Sequence, residues 1–385
     1  MRQVAILGIG QTIIDEQWDK SLRDIAGEAA FAALADAGLE KTDGLFVGNM
    51  LSPIVDGQNH LGTFIADWVG LWHQEAVKIE AACASGGAVF RAALMAVASG
   101  ELDSALVVGV EKMTDQLGRD VTAGLATAAD ADYEVDQGIS FVGINALIMR
   151  RYMYEHGWKH IDFAPFSINS HANAMHNPYA RLHDEINEEQ FEKSSMVATP
   201  INLMDASPIG DGAAAIVIVP AERMVAKPGH PRIVVAGSAC ATDTIAVHSR
   251  KEPLFLSAAY LSAKRAYEMA GVSPADIDFF ELHDAFSIMA ALSLEACGFA
   301  ERGQGPRLGL DNEIGVTGRL PLCTRGGLKA RGHPVGATGM YQIVEVAQQL
   351  RGECGVTQVD GAKIGMAQNI GGSGATIVTH ILKAE

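Results

Sequence analysis

Val4-Ala5-Ile6-Leu7-Gly8 opens the chain as a short apolar strand, and Ile233-Val234-Val235-Ala236-Gly237 repeats it 229 residues later. The match is one of a series. An Ala-rich helical stretch ends at Ala37-Gly38-Leu39 and another at Ala270-Gly271-Val272, 233 residues on. Each glycine stands where a helix needs a left-handed residue to stop. Acidic turns then lead into the apolar strands Leu45-Phe46-Val47 and Phe279-Phe280-Glu281-Leu282, and Leu106-Val107-Val108-Gly109 pairs with Lys363-Ile364-Gly365 at an offset of 256. Four matches in one order, with slowly growing offsets, describe one βα-rich unit used twice.

The order then breaks. Gly212-Ala213-Ala214-Ala215-Ile216-Val217-Ile218-Val219 matches Gly374-Ala375-Thr376-Ile377-Val378-Thr379-His380-Ile381 at an offset of only 162, so the first half holds 94 extra residues. That insert spans roughly 112–210 and carries helical patterns at 138–155 and 164–176. Insertions at strand ends are where α/β proteins place lids and binding loops. The expected organisation is an N-terminal half at 1–225 containing the 112–210 insert, and a C-terminal half at 231–385. A connecting segment at 220–231, with its Lys-Pro-Gly-His-Pro turn, joins them.

Composition narrows the function classes. The 385 residues carry 29 basic and 46 acidic side chains, a net charge of −17, which argues against nucleic acid as a partner. Five scattered cysteines form no CxxC pair, so neither a zinc site nor a disulfide framework is indicated. The apolar start is too short for a signal peptide, and no apolar stretch approaches the roughly 20 residues that span a bilayer. The expectation is a soluble protein of a reducing cytoplasm, with no membrane partner.

Four stretches carry chemistry. Glu80-Ala81-Ala82-Cys83-Ala84-Ser85-Gly86-Gly87 leaves an apolar segment at Ile79 and enters a helix running from about 84 to 99. Cys83 would stand at a strand-to-helix elbow, where unpaired N–H groups favour a thiolate and offer donors to an oxyanion. Alone, such a cysteine is more often a small buried thiol. Gly332-His333-Pro334-Val335-Gly336-Ala337-Thr338-Gly339 is a glycine-studded loop that delivers one rigidified imidazole to the start of a helix. The spacing of 250 between Cys83 and His333 falls inside the repeat offsets. The repeat therefore puts both at equivalent elbows, which face each other if the halves pack about an internal two-fold. That makes them a candidate nucleophile–base pair. His283-Asp284-Ala285-Phe286 leaves the strand at 279–282, where His283 reads as a catalytic group or as a polar latch. Gln368-Asn369-Ile370-Gly371-Gly372-Ser373-Gly374 is a turn too tight for side chains, whose N–H groups could cradle a thioester oxygen. Gly8-Ile9-Gly10 lacks the third glycine of a dinucleotide fingerprint. His156 and His160 read as surface groups, and Cys323 as a thiol close to the His333 loop.

Taken together, these loops resemble the thiolase superfamily over nearly the whole chain: the Cys83 elbow, Asp205 to Ala214, the His283 loop, the Gly-His-Pro loop and the C-terminal glycine turn. Within it the chain is most similar to archaeal-type acetyl-CoA acetyltransferases and their sterol-carrier-protein-like relatives, in which His-Asp replaces Asn-Glu in the third loop. The resemblance implies a five-layered α-β-α-β-α sandwich of duplicated βαβ halves, with the insert as a loop domain over the substrate. It implies Cys83 as acyl acceptor, His333 as its base, His283 in one oxyanion hole, and the N–H groups of Cys83 and Gly371 in the other, with Asn369 beside Gly371 among the substrate and oxyanion residues. The reaction implied is condensation of two acetyl-CoA to acetoacetyl-CoA, or the reverse, with coenzyme A thioesters as substrates and no cofactor or metal. Homo-oligomerisation, an OB-fold zinc-ribbon partner and 3-hydroxy-3-methylglutaryl-CoA synthase are partners implied in the same way.

One departure stands out. Thiolases carry a second cysteine where this chain has Asn369, and sterol-carrier-type enzymes supply one after His-Asp, where this chain has Ala285. His283 is then the expected acid/base for the thioester α-carbon. Two other readings remain: a retro-aldol lyase using Tyr341 as acid/base, and a scaffold without turnover. Retention of both Cys83 and His333 weighs against the scaffold.

Overall fold

The computed structural model describes residues 2–224 and 230–385. The turn expected at 227–231 falls mainly outside the described residues. Strands run in chain order as β1 (Val4–Gln11), β2 (Gly44–Gly48), β3 (Glu75–Ile79), β4 (Ala105–Glu111), a small hairpin of β5 (Met196–Ala198) and β6 (Ile201–Asn202), β7 (Gly212–Pro220), β8 (Ile233–Thr242), β9 (Phe279–Glu281), β10 (Ile364–Gly371) and β11 (Thr376–Ala384). All except the hairpin belong to one ladder, ordered β3-β2-β4-β7-β1-β8-β11-β10-β9.

The duplication is visible in that order. From its centre outward the first half reads β1-β7-β4-β2-β3 and the second reads β8-β11-β10-β9, ending in a parallel bridge from Phe280 to Leu322 where a fifth strand would lie. Pairing directions match as well. β7 is antiparallel to β1 and β4, and β11 is antiparallel to β8 and β10, while β2 runs parallel to β4 and β9 parallel to β10. Among the described residues, the strands of the two halves pair edge to edge through Ala5↔Val234 and Ile6↔Ile233. The repeat in the sequence did not reveal that seam.

Side-chain alternation builds the layers. On β7, Ala213, Ala215 and Val217 pack outward on the helix Leu22–Ala37, whereas Ala214, Ile216 and Ile218 face inward. The inward faces of both halves close on two central helices, Ser85–Ser99 and Thr338–Arg351, through Val89, Phe90, Met340, Ile343 and Val344. On the far side, Ile377 and Ile381 of β11 meet the helices Ser257–Ala270 and Ser287–Ala296. The result is helix, sheet, helix, sheet, helix. The repeated strand glycine has a packing reason: a Cβ on Gly8 would overlap the Ala33 carbonyl oxygen, and one on Gly237 the Ala266 carbonyl oxygen, so each lets its outer helix lie directly on the strand. Residues 82–99 are apolar and long enough by composition to cross a membrane, with a mean hydropathy of 1.4, yet they form the elbow and a central helix packed between the two halves of the sheet.

Candidate active site

The two central helices begin side by side. A Cβ on Gly86 would lie 2.7 Å from the Met340 nitrogen, and one on Gly339 would collide with the Gly87 nitrogen. Only glycine allows the first turns to approach this closely, and the elbows before them are thereby brought together. The Cys83 elbow is strained. Ala82 has φ +51°, a conformation that costs a non-glycine residue about 1–2 kcal/mol. Ser85 holds it, donating from Oγ to the Ala82 carbonyl at 2.6 Å and accepting from the Ala81 nitrogen at 2.9 Å.

Cys83, His283 and His333 line one cavity of about 240 Å³, partly open to the surface, together with Ile370 and Gly372. Eight further lining residues come from the insert: Thr122, Leu125, Phe141, Val142, Asn145, Ala206, Ser207 and Ile209. The wall is largely apolar, a surface that accepts an acyl chain and keeps water from a thioester. The imidazoles meet edge to face with ring centroids 5.1 Å apart.

Burial dominates the electrostatics. It pushes the Cys83 thiol up to about 12, with the nearby Glu111 carboxylate adding to the effect, while N–H groups of Cys83 itself and Gly372 oppose it. The elbow was expected to favour the thiolate; burial and Glu111 push the thiol the other way. Burial brings His333 down to about 3, the Arg331 guanidinium contributing, and holds His283 well below its ordinary value, helped by His333 and Arg331. The resting site is therefore a neutral thiol beside neutral imidazoles, and the thiolate forms only as a proton passes to a base.

Each imidazole has one nitrogen engaged. His333 Nδ1 lies 2.7 Å from Thr338 Oγ1, whose hydroxyl is also 3.3 Å from the Pro334 carbonyl oxygen. His283 Nδ1 lies 3.2 Å from Asn369 Nδ2, and Asn369 Oδ1 accepts the Gly87 N–H at 3.0 Å. Because Asn369 presents its NH₂ to His283, that ring nitrogen is an acceptor already in use. This runs against the expectation of His283 as acid/base.

Three further expectations change. Gly372, one residue beyond Gly371, lines the cavity and directs its N–H at the sulfur; Gly371 ends β10, where a Cβ would overlap the Ala81 carbonyl oxygen. Tyr341 is wholly buried outside the cavity, its hydroxyl donating to the Thr12 carbonyl at 3.0 Å, so it offers no acid/base to a lyase. His160 is no free surface group: Nε2 lies 2.6 Å from Asp205 Oδ2 and the ring stacks on Phe191. Cys323 is buried at φ +48°, with its thiol held well above the ordinary range by burial and then by Asp284 and Glu281.

The sequence reading missed Glu111. It ends the otherwise apolar strand β4 and is fully buried. Its Oε2 accepts from the Gly336 nitrogen at 2.9 Å and the Met50 nitrogen at 3.0 Å; its Oε1 accepts from Leu51 and Asn49 at 2.8 and 2.7 Å. It ties the His333 loop of one half to the first sheet of the other. The signal was present, since a carboxylate closing six apolar residues is not surface decoration.

Comparison with known proteins agrees with this architecture. The family described as thiolase, N-terminal domain, matches residues 4–222, and the thiolase C-terminal domain-like family matches 239–384. An acetyl-CoA acetyltransferase of Methanothermobacter thermautotrophicus is 45% identical over 383 residues, covering 99% of each chain. Sterol carrier protein 2 of Homo sapiens is 30% identical over 98% of this chain and 72% of its own. A solved structure titled Ltp2-ChsH2(DUF35) aldolase is similar with a TM-score of 0.87 at 25% identity, covering 99% of this chain and 98% of that one. The acetyl-CoA acetyltransferase from Syntrophomonas wolfei is similar with a TM-score of 0.76 at 18% identity, covering 100% of both. With both halves matched end to end and the paired elbows in place, the chain belongs to the thiolase family.

Proposed function

We propose that the protein is an acetyl-CoA C-acetyltransferase, condensing two acetyl-CoA to acetoacetyl-CoA or running the reverse thiolysis through an acyl-Cys83 intermediate. The observation that carries this reading is the convergence of Cys83, His333 and His283 on one mainly apolar cavity. In the first half-reaction Cys83 Sγ attacks the thioester carbonyl as its proton passes to His333. The carbonyl oxygen is held by N–H groups at the elbow and the glycine turn, and coenzyme A leaves with that proton. In the second, the α-carbon of another acetyl-CoA loses a proton, the resulting enolate attacks acetyl-Cys83, and the C–S bond breaks to restore the thiol. Donors placed where oxyanion charge develops supply the largest share of such acceleration.

The segment at 112–210, inserted within the N-terminal half at 1–225, is the loop domain over the substrate, and 231–385 is the C-terminal half. The edge strand β3, with Val77 partly exposed, is the surface through which two copies would join. The cysteines are all free, in keeping with a cytoplasmic setting. An OB-fold zinc-ribbon protein and 3-hydroxy-3-methylglutaryl-CoA synthase are proposed partners; the structure titled as Ltp2 with ChsH2(DUF35) is the support for a partner protein of some kind. The test is turnover: acetoacetyl-CoA plus coenzyme A should yield acetyl-CoA with the native chain and none with Cys83→Ala. Cleavage that persists in Cys83→Ala would overturn the assignment.

A further inference from the structure

Asn369 stands where the family's second cysteine is missing, and its hydrogen bonds give it a definite task. Its amide cannot be turned around, because the Gly87 backbone N–H, 3.0 Å away, demands the oxygen. A Cβ on Gly339 would overlap that same Oδ1, so the amide is wedged between the first turns of both central helices. Its NH₂ therefore points at His283 Nδ1, 3.2 Å away, and the ring accepts there. A neutral imidazole that accepts at Nδ1 carries its proton on Nε2. His333 is set the opposite way. The Thr338 hydroxyl directs its proton to the Pro334 carbonyl and accepts from His333 Nδ1–H, which leaves Nε2 as a lone pair.

We propose that Asn369 is a positioning residue that locks His283 as a hydrogen-bond donor to the thioester enolate, leaving His333 as the single base for both half-reactions. This rests on the acetyl-transfer reading above and deepens it. The proton balance closes with one base. His333 Nε2 takes the Cys83 proton as the S–C(acetyl) bond forms, and gives it to the departing coenzyme A sulfur. It then takes the α-proton of the second acetyl-CoA, whose enolate oxygen is held by His283 Nε2–H. When the new C–C bond forms and the C–S bond to Cys83 breaks, His333 returns that proton to the thiolate. Nothing is oxidised or reduced, and no second thiol is required. The groups facing His283 are His333 and Arg331, and Arg331 is held by the buried Glu345 carboxylate. Burial, with those two adding to it, holds His283 well below its ordinary value and so keeps it neutral, as a fixed donor requires.

The test pairs Asn369→Asp with nitrogen NMR of histidine-labelled full-length protein, His283 being assigned by its loss in His283→Gln. The variant keeps an oxygen for Gly87 and presents a carboxylate, favoured there by two helix N-termini, that must take Nδ1–H from His283. In the native chain His283 should show the Nε2–H form, and in Asn369→Asp the Nδ1–H form. Acylation of Cys83 by acetyl-CoA should stay within about threefold of native, while condensation at pH 8 falls about a hundredfold to a thousandfold, the scale of a lost oxyanion donor. The variant's deficit should shrink about tenfold between pH 8 and pH 6, because a second proton on His283 beside the new carboxylate restores Nε2–H. A mere packing defect would not recover on acidification. An Nδ1–H form in the native spectrum would overturn the proposal, and so would undiminished condensation in a folded Asn369→Asp. Failure of the native chain to acylate at Cys83 would instead sink the acetyl-transfer reading and leave the NMR outcome to judge the tautomer.

Discussion

Replacing Glu111 by Gln probes how the two halves are held in register at the site. The carboxylate is fully buried and accepts four hydrogen bonds: three from backbone nitrogens of Met50, Leu51 and Gly336, and one from the Asn49 amide. Burial raises its pKa to about 7 against the pull of those backbone donors. Glutamine offers one oxygen in place of two and turns an NH₂ toward N–H groups, so about two donors lose their acceptor. At about 1–3 kcal/mol for each buried unsatisfied group the loss is about 2–6 kcal/mol. Relief of the buried charge offsets part of this, and about 2 kcal/mol is the expected net loss in urea denaturation at pH 7. Gly336 lies three residues beyond His333, so the acylation rate should fall with it. The charge effect has the opposite sign. Glu111 raises the Cys83 thiol, so its removal lowers that pKa, and alkylation of Cys83 by iodoacetamide at pH 8 should speed up. Slower acylation with faster alkylation is a combination that general loosening does not give. A variant within 0.5 kcal/mol of native by the usual surface-substitution range, with both rates unchanged, would refute the reasoning.

Two further outcomes are expected. Asp211 receives Thr114 Oγ1 at 2.7 Å, the Met113 nitrogen at 2.6 Å and Lys112 Nζ at 3.0 Å. Burial alone would raise its pKa, but these partners outweigh it and the net shift is downward from 3.8. Its stabilisation is therefore complete above that value and lost as pH falls through the lower folded pKa. Asp211→Asn should be clearly less stable than native at pH 7, with the gap narrowing below about pH 4 in urea titrations; an equal gap at both pH values would contradict this. Gly339→Ala should drive a Cβ into Asn369 Oδ1 and the Gly87 nitrogen, which are hemmed in by both central helices. It should cost several kcal/mol, about the scale of core overpacking, and lower condensation; thermal unfolding unchanged from native would show that the helices are not in contact there.

Much of this fold is written locally. Gly8 and Gly237 could be read as equivalents because each permits the same contact between strand and outer helix, with Ala33 and with Ala266. The spacing of Cys83 and His333 could be converted into proximity because each precedes a central helix whose first turn contains a glycine. What stayed hidden depends on contacts between distant segments. Nothing local to Glu111 says that it reaches Gly336, 225 residues away, and nothing near Tyr341 says that its hydroxyl ends on Thr12 rather than in the cavity. The displacement from Gly371 to Gly372 is a matter of a single left-handed residue, φ +60°, which a run of glycines does not specify. Asn369 was legible as a missing cysteine and as part of the oxyanion turn, not as a partner of His283. Its role emerged once Gly87 and His283 were seen on either side of it.

The central claim is that Cys83 becomes acylated with His333 as its base. Intact-protein mass spectrometry after brief exposure to acetyl-CoA measures this directly, with Cys83→Ala and His333→Ala run alongside. The account predicts one acetyl increment on the native chain, mapped to the peptide containing Cys83, none on Cys83→Ala, and a rate lowered by about 10²–10⁴ in His333→Ala, the usual contribution of a general base. An acetyl group that persists in Cys83→Ala, or that forms at native speed without the His333 imidazole, would contradict it.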